Sequence, residues 1–350
     1  MPSLTGADKR GRETAPTGRD AHLIVTVTLN PALDITYSAD RFMWGESNRV
    51  ALVHARAGGK GINVARVLQQ MGQAVIATGL AGGTTGTAIR DDLRTSGIRE
   101  HLLLIAGESR RTITAFSVGD AEATEFIEPG PAVGPEEWSR LLTSFRELAP
   151  TARVAVFAGS LPPGVPGDAY AQLCSIAATA GVPTLLDTSG PALLVGLAGH
   201  PTVVKPNLRE VFAAVAELEG EVPSDLAAVG SAGNTELEDV LRAAARLRSG
   251  GAVSVVVSMG FGGLLAITPE GTWRAVPPKV SGNPVGAGDA AVAALAAGMA
   301  NGRPWEERLA RAAAVSAAAV RYPVAGGYHP DDYRELLRGT TVTPWRRSSW

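Results

Sequence analysis

Val154-Ala155-Val156-Phe157-Ala158-Gly159-Ser160-Leu161-Pro162-Pro163-Gly164 is a short apolar run closed by a Gly- and Pro-rich turn. Five apolar residues bounded by such a turn suit a strand buried on both faces. The residues that follow, to Ala180, suit a helix, and the same order then recurs. Pro183 to Asp187 leads through Thr188-Ser189-Gly190 into a short helix, and Thr202 to Lys205 leads through Pro206-Asn207-Leu208-Arg209-Glu210 into another. A helix over Glu236 to Arg248 precedes the strand Val253 to Ser258, the turn Gly260-Phe261-Gly262-Gly263 and two further strands. Strands alternating with helices imply a mostly parallel sheet between two helical layers, a three-layer α/β/α sandwich. The polar turns fall after strands, so they converge on the sheet edge where open α/β folds bind ligands.

Towards the N-terminus, His22 to Leu29 is a β-branched apolar run that ends at Asn30-Pro31-Ala32-Leu33-Asp34. Asp34 thus lies just past a central strand, although turns also favour Asp on their own account. Ala57-Gly58-Gly59-Lys60-Gly61 opens the amphipathic helix Ile62 to Leu68, with Asn63 in its first turn. Lys60 is followed by Gly61 rather than Ser or Thr, so this is not a Walker A loop. Ala74 to Gly79 reads as the next strand and Thr84 to Thr95 as the next helix. Residues 35–56 read as short extended pieces, and Arg111 to Val118 with Thr124 to Glu128 as a hairpin. These pieces interrupt the β/α order and are expected to form a small sheet over the main one.

The chain has 350 residues, 45% hydrophobic and 19% charged, enough for one large α/β domain or two smaller ones. A net charge of −2 excludes a general attraction for nucleic acid or anionic lipid. Cys174 is the only cysteine, which excludes an intrachain disulfide and a Cys-based metal cluster and favours a cytoplasmic setting. Residues 1–20 are polar, lack the apolar core of a signal peptide and read as a disordered leader or as the product of a start codon placed too early. The Ala-rich segments near 287–300 and 312–320 are interrupted by polar residues before membrane-spanning length and read as buried helices. Residues after 338 read as a tail without helix or strand pattern.

Asn283-Pro284-Val285-Gly286-Ala287-Gly288-Asp289 runs into the Ala-rich helix that starts near 290. Small residues at a helix start leave backbone N–H groups uncovered at the positive end of the dipole, a natural phosphate holder. A carboxylate there would repel an anion. Asp289 makes chemical sense if it takes a proton from the group attacking that anion, the pairing that phosphoryl transfer needs. The bland alternative is a Gly-rich turn with an Asp in the helix's first turn.

Five stretches now coincide in order: Thr26 to Asp34, Gly58 to Arg66, Gly159 to Gly164, Lys205 to Glu210 and Val285 to Asp289. With them the chain resembles the phosphofructokinase B group of ribokinase-like sugar kinases, in particular the phosphosugar branch of 1-phosphofructokinases, tagatose-6-phosphate kinases and minor 6-phosphofructokinases. The resemblance implies one kinase domain over residues 21–338, with a β-sheet lid from 35–56 and 111–128. It implies Asp289 as catalytic base, and Gly286, Ala287 and Gly288 as the anion hole. It implies Asp34, Gly58, Gly59, Asn63 and Ser160 as sugar contacts, and Lys60 and Arg110, with Arg49 a weaker third, as cations for the substrate's own phosphate. Lys205, Ser258, Gly260 and Gly263 match positions around the nucleotide, ATP; Asn207 and Glu210 match the pair that organises Mg2+, mainly through water. Arg111 reads as solvated.

The activity so implied is transfer from ATP to a phosphorylated ketohexose, first of all fructose 1-phosphate, with tagatose 6-phosphate and fructose 6-phosphate as alternatives. A homodimer through the lid follows by the same analogy, with no nucleic acid or membrane partner. Ser109 and Thr112 replace the usual Thr and Asn of the lid hairpin, and Asn283-Pro284 the usual Ser-Thr, so acceptor identity is left open. A catalytically silent sugar or nucleotide sensor is the rival outside enzymes. A dinucleotide-dependent dehydrogenase is disfavoured because no Gly-x-Gly-x-x-Gly follows the first strand.

Overall fold

The structure, a computed structural model, describes residues 22–43, 45–50, 52–117, 119, 122–220 and 237–345. In chain order the main elements are β1 (Ile24–Thr28), β2 (Ala32–Ala39), β3 (Leu52–Gly58), α1 (Lys60–Gln70), β4 (Val75–Gly82), α2 (Gly83–Thr95), β5 (Arg99–Ile105), β6 (Arg110–Ser117), β7 (Glu122–Ile127) and α3 (Pro135–Leu148). They continue with β8 (Val154–Ala158), α4 (Ala169–Thr179), β9 (Thr184–Asp187), α5 (Pro191–Gly196), β10 (Val203–Val204), α6 (Leu208–Glu219), α7 (Leu237–Ser249) and β11 (Ser254–Ser258). The chain then forms β12 (Leu264–Ile267), β13 (Thr272–Val276), α8 (Ala287–Ala300), α9 (Trp305–Val320), α10 (Pro330–Gly339) and β14 (Thr341–Pro344). The main sheet runs β14-β13-β12-β11-β10-β9-β8-β1-β4-β5. It is parallel from β11 to β5 and antiparallel from β11 to β14.

The apolar strands are buried on both faces because their side chains alternate between two cores. Val154, Val156 and Ala158 of β8 pack with residues of α1, α8 and α9. Ala155 and Phe157 pack on the opposite side with residues of α3, α4, α6 and α7, where Phe157 meets Phe145 edge-on at 5.5 Å. The three-layer sandwich expected from the alternation is the observed architecture.

The second sheet, β3-β2-β6-β7, sorts its residues by the same period of two. Register places Asp34 beside Arg56 on β3 and Thr112 on β6, and Ala32 beside Arg110. One face therefore carries Asp34, Arg56, Arg110 and Thr112. The other carries Ile35, Tyr37, Val53, Ile113 and Phe126. Arg111 lies on this second face, exposed and paired with Glu128 at 3.2 Å.

Two edge strands depart from the sequence reading. The tail expected after 338 instead continues as β14, pairing antiparallel with β13, and Trp345 N–H donates to Thr272 O at 2.8 Å. Four mostly exposed residues ending in Pro carry no alternation to read, yet an edge needs little more than backbone pairing. The opposite edge strand, β5, begins with Arg99-Glu100-His101, whose polarity hides it for the same reason. The expected leader, residues 1–20, lies outside the described residues, as do Val118, Asp120 and Ala121 of the hairpin.

Candidate active site

The carboxyl ends of β1, β8, β9 and β10 meet the amino ends of α1, α6 and α8 around a common space. At its centre is Asp187, the last residue of β9 and 1% exposed. Its Oδ1 lies 3.5 Å from Lys60 Nζ at the start of α1 and 3.5 Å from Lys205 Nζ after β10. Lys60 Nζ is also 4.0 Å from Glu210 Oε1. Burial alone would pull the Lys60 ammonium down, but Asp187, Glu210 and Asp289 together hold it above its ordinary value. Asp187 is absent from the sequence-level site. Its one mark in the sequence is its place at the end of a short buried run.

Asp289 sits in the first turn of α8, 7% exposed. Asn63 Nδ2 of α1 donates to its Oδ2 at 2.9 Å, tying together the two helix starts. Burial first, then the charge of Asp187, push its pKa from 3.8 to about 7, against the Asn63 hydrogen bond and the charges of Lys60 and Lys205. A carboxylate poised near neutrality suits general base catalysis. Gly286 caps α8 at φ 84°, a left-handed conformation that favours glycine. Ala287 N–H is already used by Pro284 O at 3.2 Å, and the helix ladder starts with Ala290 N–H to Gly286 O. Among the described residues the N–H groups of Gly288 and Asp289 have no backbone partner, and the Lys205 ammonium lies beside Gly288.

Asn207 and Glu210 form a reciprocal capping box on α6: Asn207 Oδ1 accepts from Glu210 N–H at 2.9 Å, and Glu210 Oε2 accepts from Asn207 N–H at 2.8 Å. The cap leaves Glu210 Oε1 free of it, facing Lys60. Among the described residues no cluster of three or more metal-ligating side chains occurs. A donor set this sparse fits Mg2+, which keeps most of its water and bridges phosphates. Ser258 ends β11 and pairs with Asn207, and Gly260 and Gly263 occupy the turn beyond it.

On the other flank a cavity of about 500 Å3 is lined by Thr28, Asn30, Gly59, Lys60, Arg110 and Ser160, among others. Asn30 Nδ2 donates to Ser160 Oγ at 3.2 Å and to Pro129 O at 3.1 Å. Thr28 Oγ1 and Asn30 Oδ1 are buried without a hydrogen-bond partner among the described residues. Orphaned groups of this kind are met by a ligand or by water. Asp34 is raised to about 6 by burial, against the charges of Arg110 and Arg56 and a hydrogen bond from Thr112. Gly58 is packed so closely on Asp34 that a Cβ there would fall 1.8 Å from Oδ2. Arg49 is exposed in the segment before β3.

Because Asp187 is the charge that lifts Asp289, Asp187→Asn is expected to shift the acid limb of kcat/KM to lower pH. A pH-rate profile of the variant checks this; an unmoved or upward-shifted limb would contradict the coupling.

The family model described as pfkB family carbohydrate kinase matches residues 27–331. Phosphofructokinase-2 from Escherichia coli, in complex with fructose-6-phosphate, is 30% identical over 90% of this chain and 98% of that chain, with a TM-score of 0.78. The Thermotoga maritima protein named Possible 1-phosphofructokinase is 26% identical over 93% of this chain and 100% of its own, with a TM-score of 0.79. Arabidopsis thaliana ribokinase, complexed with ribose and ATP, shares the fold at 21% identity and a TM-score of 0.68, over 90% of this chain and 98% of that one.

Proposed function

We propose an acceptor and a mechanism for this chain from the premise of its family: it belongs to the pfkB carbohydrate kinases and is an ATP-dependent sugar kinase. The acceptor is a phosphorylated ketohexose, and the reaction is that of a 1-phosphofructokinase. Fructose 1-phosphate and ATP give fructose 1,6-bisphosphate and ADP: the acceptor hydroxyl forms the new O–P bond, the bond from the γ-phosphorus to the ADP oxygen breaks, and the hydroxyl proton passes to Asp289.

One observation carries the choice of a phosphorylated acceptor. Arg110 is a partly buried guanidinium whose hydrogen bonds go to the carbonyls of Asn30, at 3.2 Å, and Glu128, at 3.5 Å. No carboxylate is salt-bridged to it among the described residues. Burial lowers its pKa, with Asp34 and Glu128 opposing. A desolvated cation in a sugar cavity is costly unless an anion arrives, and Lys60 on the same wall adds a second charge. Asp34, Asn63, Ser160 and the orphaned Thr28 and Asn30 groups supply hydroxyl partners.

In the mechanism, Asn63 holds the Asp289 carboxylate towards the acceptor. Gly288 and Asp289 N–H groups and Lys205 receive the transferring phosphate, and the lid face bearing Asp34 excludes water. ATP lies along Lys205, Ser258, Gly260 and Gly263. Asn207 and Glu210 would hold Mg2+, mainly through water, and the bound ion would supply neutralisation of phosphate charge. The apolar lid face, with Val53 53% and Phe126 47% exposed, supports a homodimer through the lid. No helix among the described residues is long and apolar enough to cross a membrane; a cytoplasmic setting fits the single buried Cys174.

The test is ADP release with fructose 1-phosphate, fructose 6-phosphate, tagatose 6-phosphate and free fructose compared below saturation. Fructose 1-phosphate is expected to lead in kcat/KM by about 10-fold, roughly 1.4 kcal/mol of discrimination. Preference for fructose 6-phosphate, the ligand of the Escherichia coli neighbour, or for tagatose 6-phosphate would move the enzyme within the phosphosugar branch. Preference for free fructose would overturn the reading of Arg110. In the same assay Arg110→Ala is expected to raise the phosphosugar KM by about 10- to 100-fold, the worth of one charge-assisted hydrogen bond, with little change for ATP. Equal losses for both ligands would refute its assignment.

A further inference from the structure

The two helices that bring Asn63 and Asp289 together, α1 and α8, end at a second cavity. Helix α1 starts at Lys60 and Asn63, and α8 starts beside Asp289. With 14 residues at about 1.5 Å each, α8 carries the chain roughly 20 Å from the site. There a cavity of about 320 Å3 opens between α1, α8, α9 and α10. The far ends of α1 and α8 are tied as their near ends are: Asn301 Nδ2 donates to Gln73 Oε1 at 3.0 Å, mirroring the bond from Asn63 to Asp289.

The chemistry of this cavity is one-sided. Arg303, Arg311 and Arg334 line it, and no carboxylate does. Glu307 and Asp331 pair with Arg303 and Arg334 from outside the lining. Arg311 has no carboxylate partner among the described residues; its Nη1 donates to the Tyr333 hydroxyl at 3.2 Å. Tyr328, 6% exposed, packs edge-on against Tyr333 at 5.7 Å, and Ala294, Ala297 and Gly298 of α8 give an apolar floor. With Arg303 and Arg334 already paired, Arg311 is the guanidinium left to draw an anion, and the apolar floor beside it favours one with a carbon skeleton. The volume equals that of about ten water molecules, the size of a small metabolite.

We propose that this cavity is a regulatory site for a small organic anion bearing phosphate or carboxylate groups, read by Arg311 and transmitted to Asn63 and Asp289 through α1 and α8. An anion drawn between Arg311 on α9 and Arg334 on α10 presses on α8 at Ala297 and on α1 beyond Gln70. Any change in the relative position of the two helices alters how Asn63 presents Asp289. Coupling of this kind requires only that the ligand favour one arrangement of the helix pair. The binding half of the inference stands apart from the acceptor assigned above.

The experiment is calorimetric titration of the full chain with phosphoenolpyruvate, citrate and inorganic phosphate at constant ionic strength. It compares the native protein with Arg311→Gln, Ala297→Leu and Arg110→Ala. Saturable binding of phosphoenolpyruvate or citrate is expected, with inorganic phosphate weaker because it lacks a skeleton for the apolar floor. Arg311→Gln should weaken it by about 10- to 100-fold. Ala297→Leu, which fills the floor without removing charge, should abolish it, and Arg110→Ala should leave it intact. The bound anion should change kcat/KM of the native kinase and leave that of Arg311→Gln unchanged. Absence of saturable binding, or binding lost in Arg110→Ala but kept in Arg311→Gln, overturns the site. Binding without a change in turnover overturns its regulatory role.

Discussion

Asp289→Asn is expected to lower kcat by about 10²- to 10⁴-fold, the usual worth of a positioned general base, while ATP binding is nearly unchanged. The amide keeps the size of the side chain and can still meet Asn63, so the loss isolates the proton-accepting step. In the native enzyme the base must be ionised, so kcat/KM should rise with pH through a midpoint near 7, where burial and Asp187 hold the carboxyl. In the variant that limb should vanish.

The same group makes an opposite prediction for stability. A carboxyl raised from 3.8 to about 7 on folding keeps its proton in the folded protein over that range. Its ionisation therefore opposes folding as pH rises: the penalty is absent below about pH 4 and complete above about pH 7, roughly 4 kcal/mol at most. Asn removes it, so the variant should melt higher than the native protein at pH 8 and nearly equally at pH 4. Undiminished turnover would remove Asp289 from the mechanism. A lower melting temperature at pH 8 would mean that its charge supports Lys60 and Lys205 more than burial penalises it.

Gly58→Ala is expected to cost about 10²-fold or more in kcat/KM for the phosphosugar, with a much smaller effect on ATP binding. The added methyl carbon would lie 1.8 Å from Asp34 Oδ2, 2.2 Å from its Cγ and 2.7 Å from Oδ1, so the carboxyl must leave its place. Asp34 is hemmed in by Arg56 and Thr112 on the neighbouring strands, and Arg110 acts on it electrostatically. Displacing it disturbs the lid face at the point where the sugar is held. Steady-state kinetics with each substrate varied in turn provide the check. An unchanged phosphosugar KM would show that Asp34 does not bind the acceptor.

Much of this is legible in the sequence alone. The alternation of buried strands with helices dictated the three-layer sandwich, because an apolar run with polar turns has few other ways to bury itself. Glycine at 58, 59, 286 and 288 and the lone acid at 289 pointed to ligand-bearing turns, since such residues mark close backbone approach. The edge strands β5 and β14 stayed hidden because half-solvated strands need no apolar pattern. Asp187 stayed hidden because nothing in Leu185-Leu186-Asp187-Thr188 announces that two lysines, 127 residues before it in one case, will converge on it.

The sequence by itself determined the fold, the strand ends and the chemical kinds available there, because periodicity and turn chemistry are local. Only the tertiary structure decided which charges share a dielectric. It buried Asp187 between Lys60 and Lys205, raised Asp289 towards neutrality, left Arg110 without a salt-bridged carboxylate among the described residues and gathered three arginines at the far ends of α1 and α8. Desolvation and pairing depend on neighbours from distant parts of the chain, and it is folding that makes them neighbours.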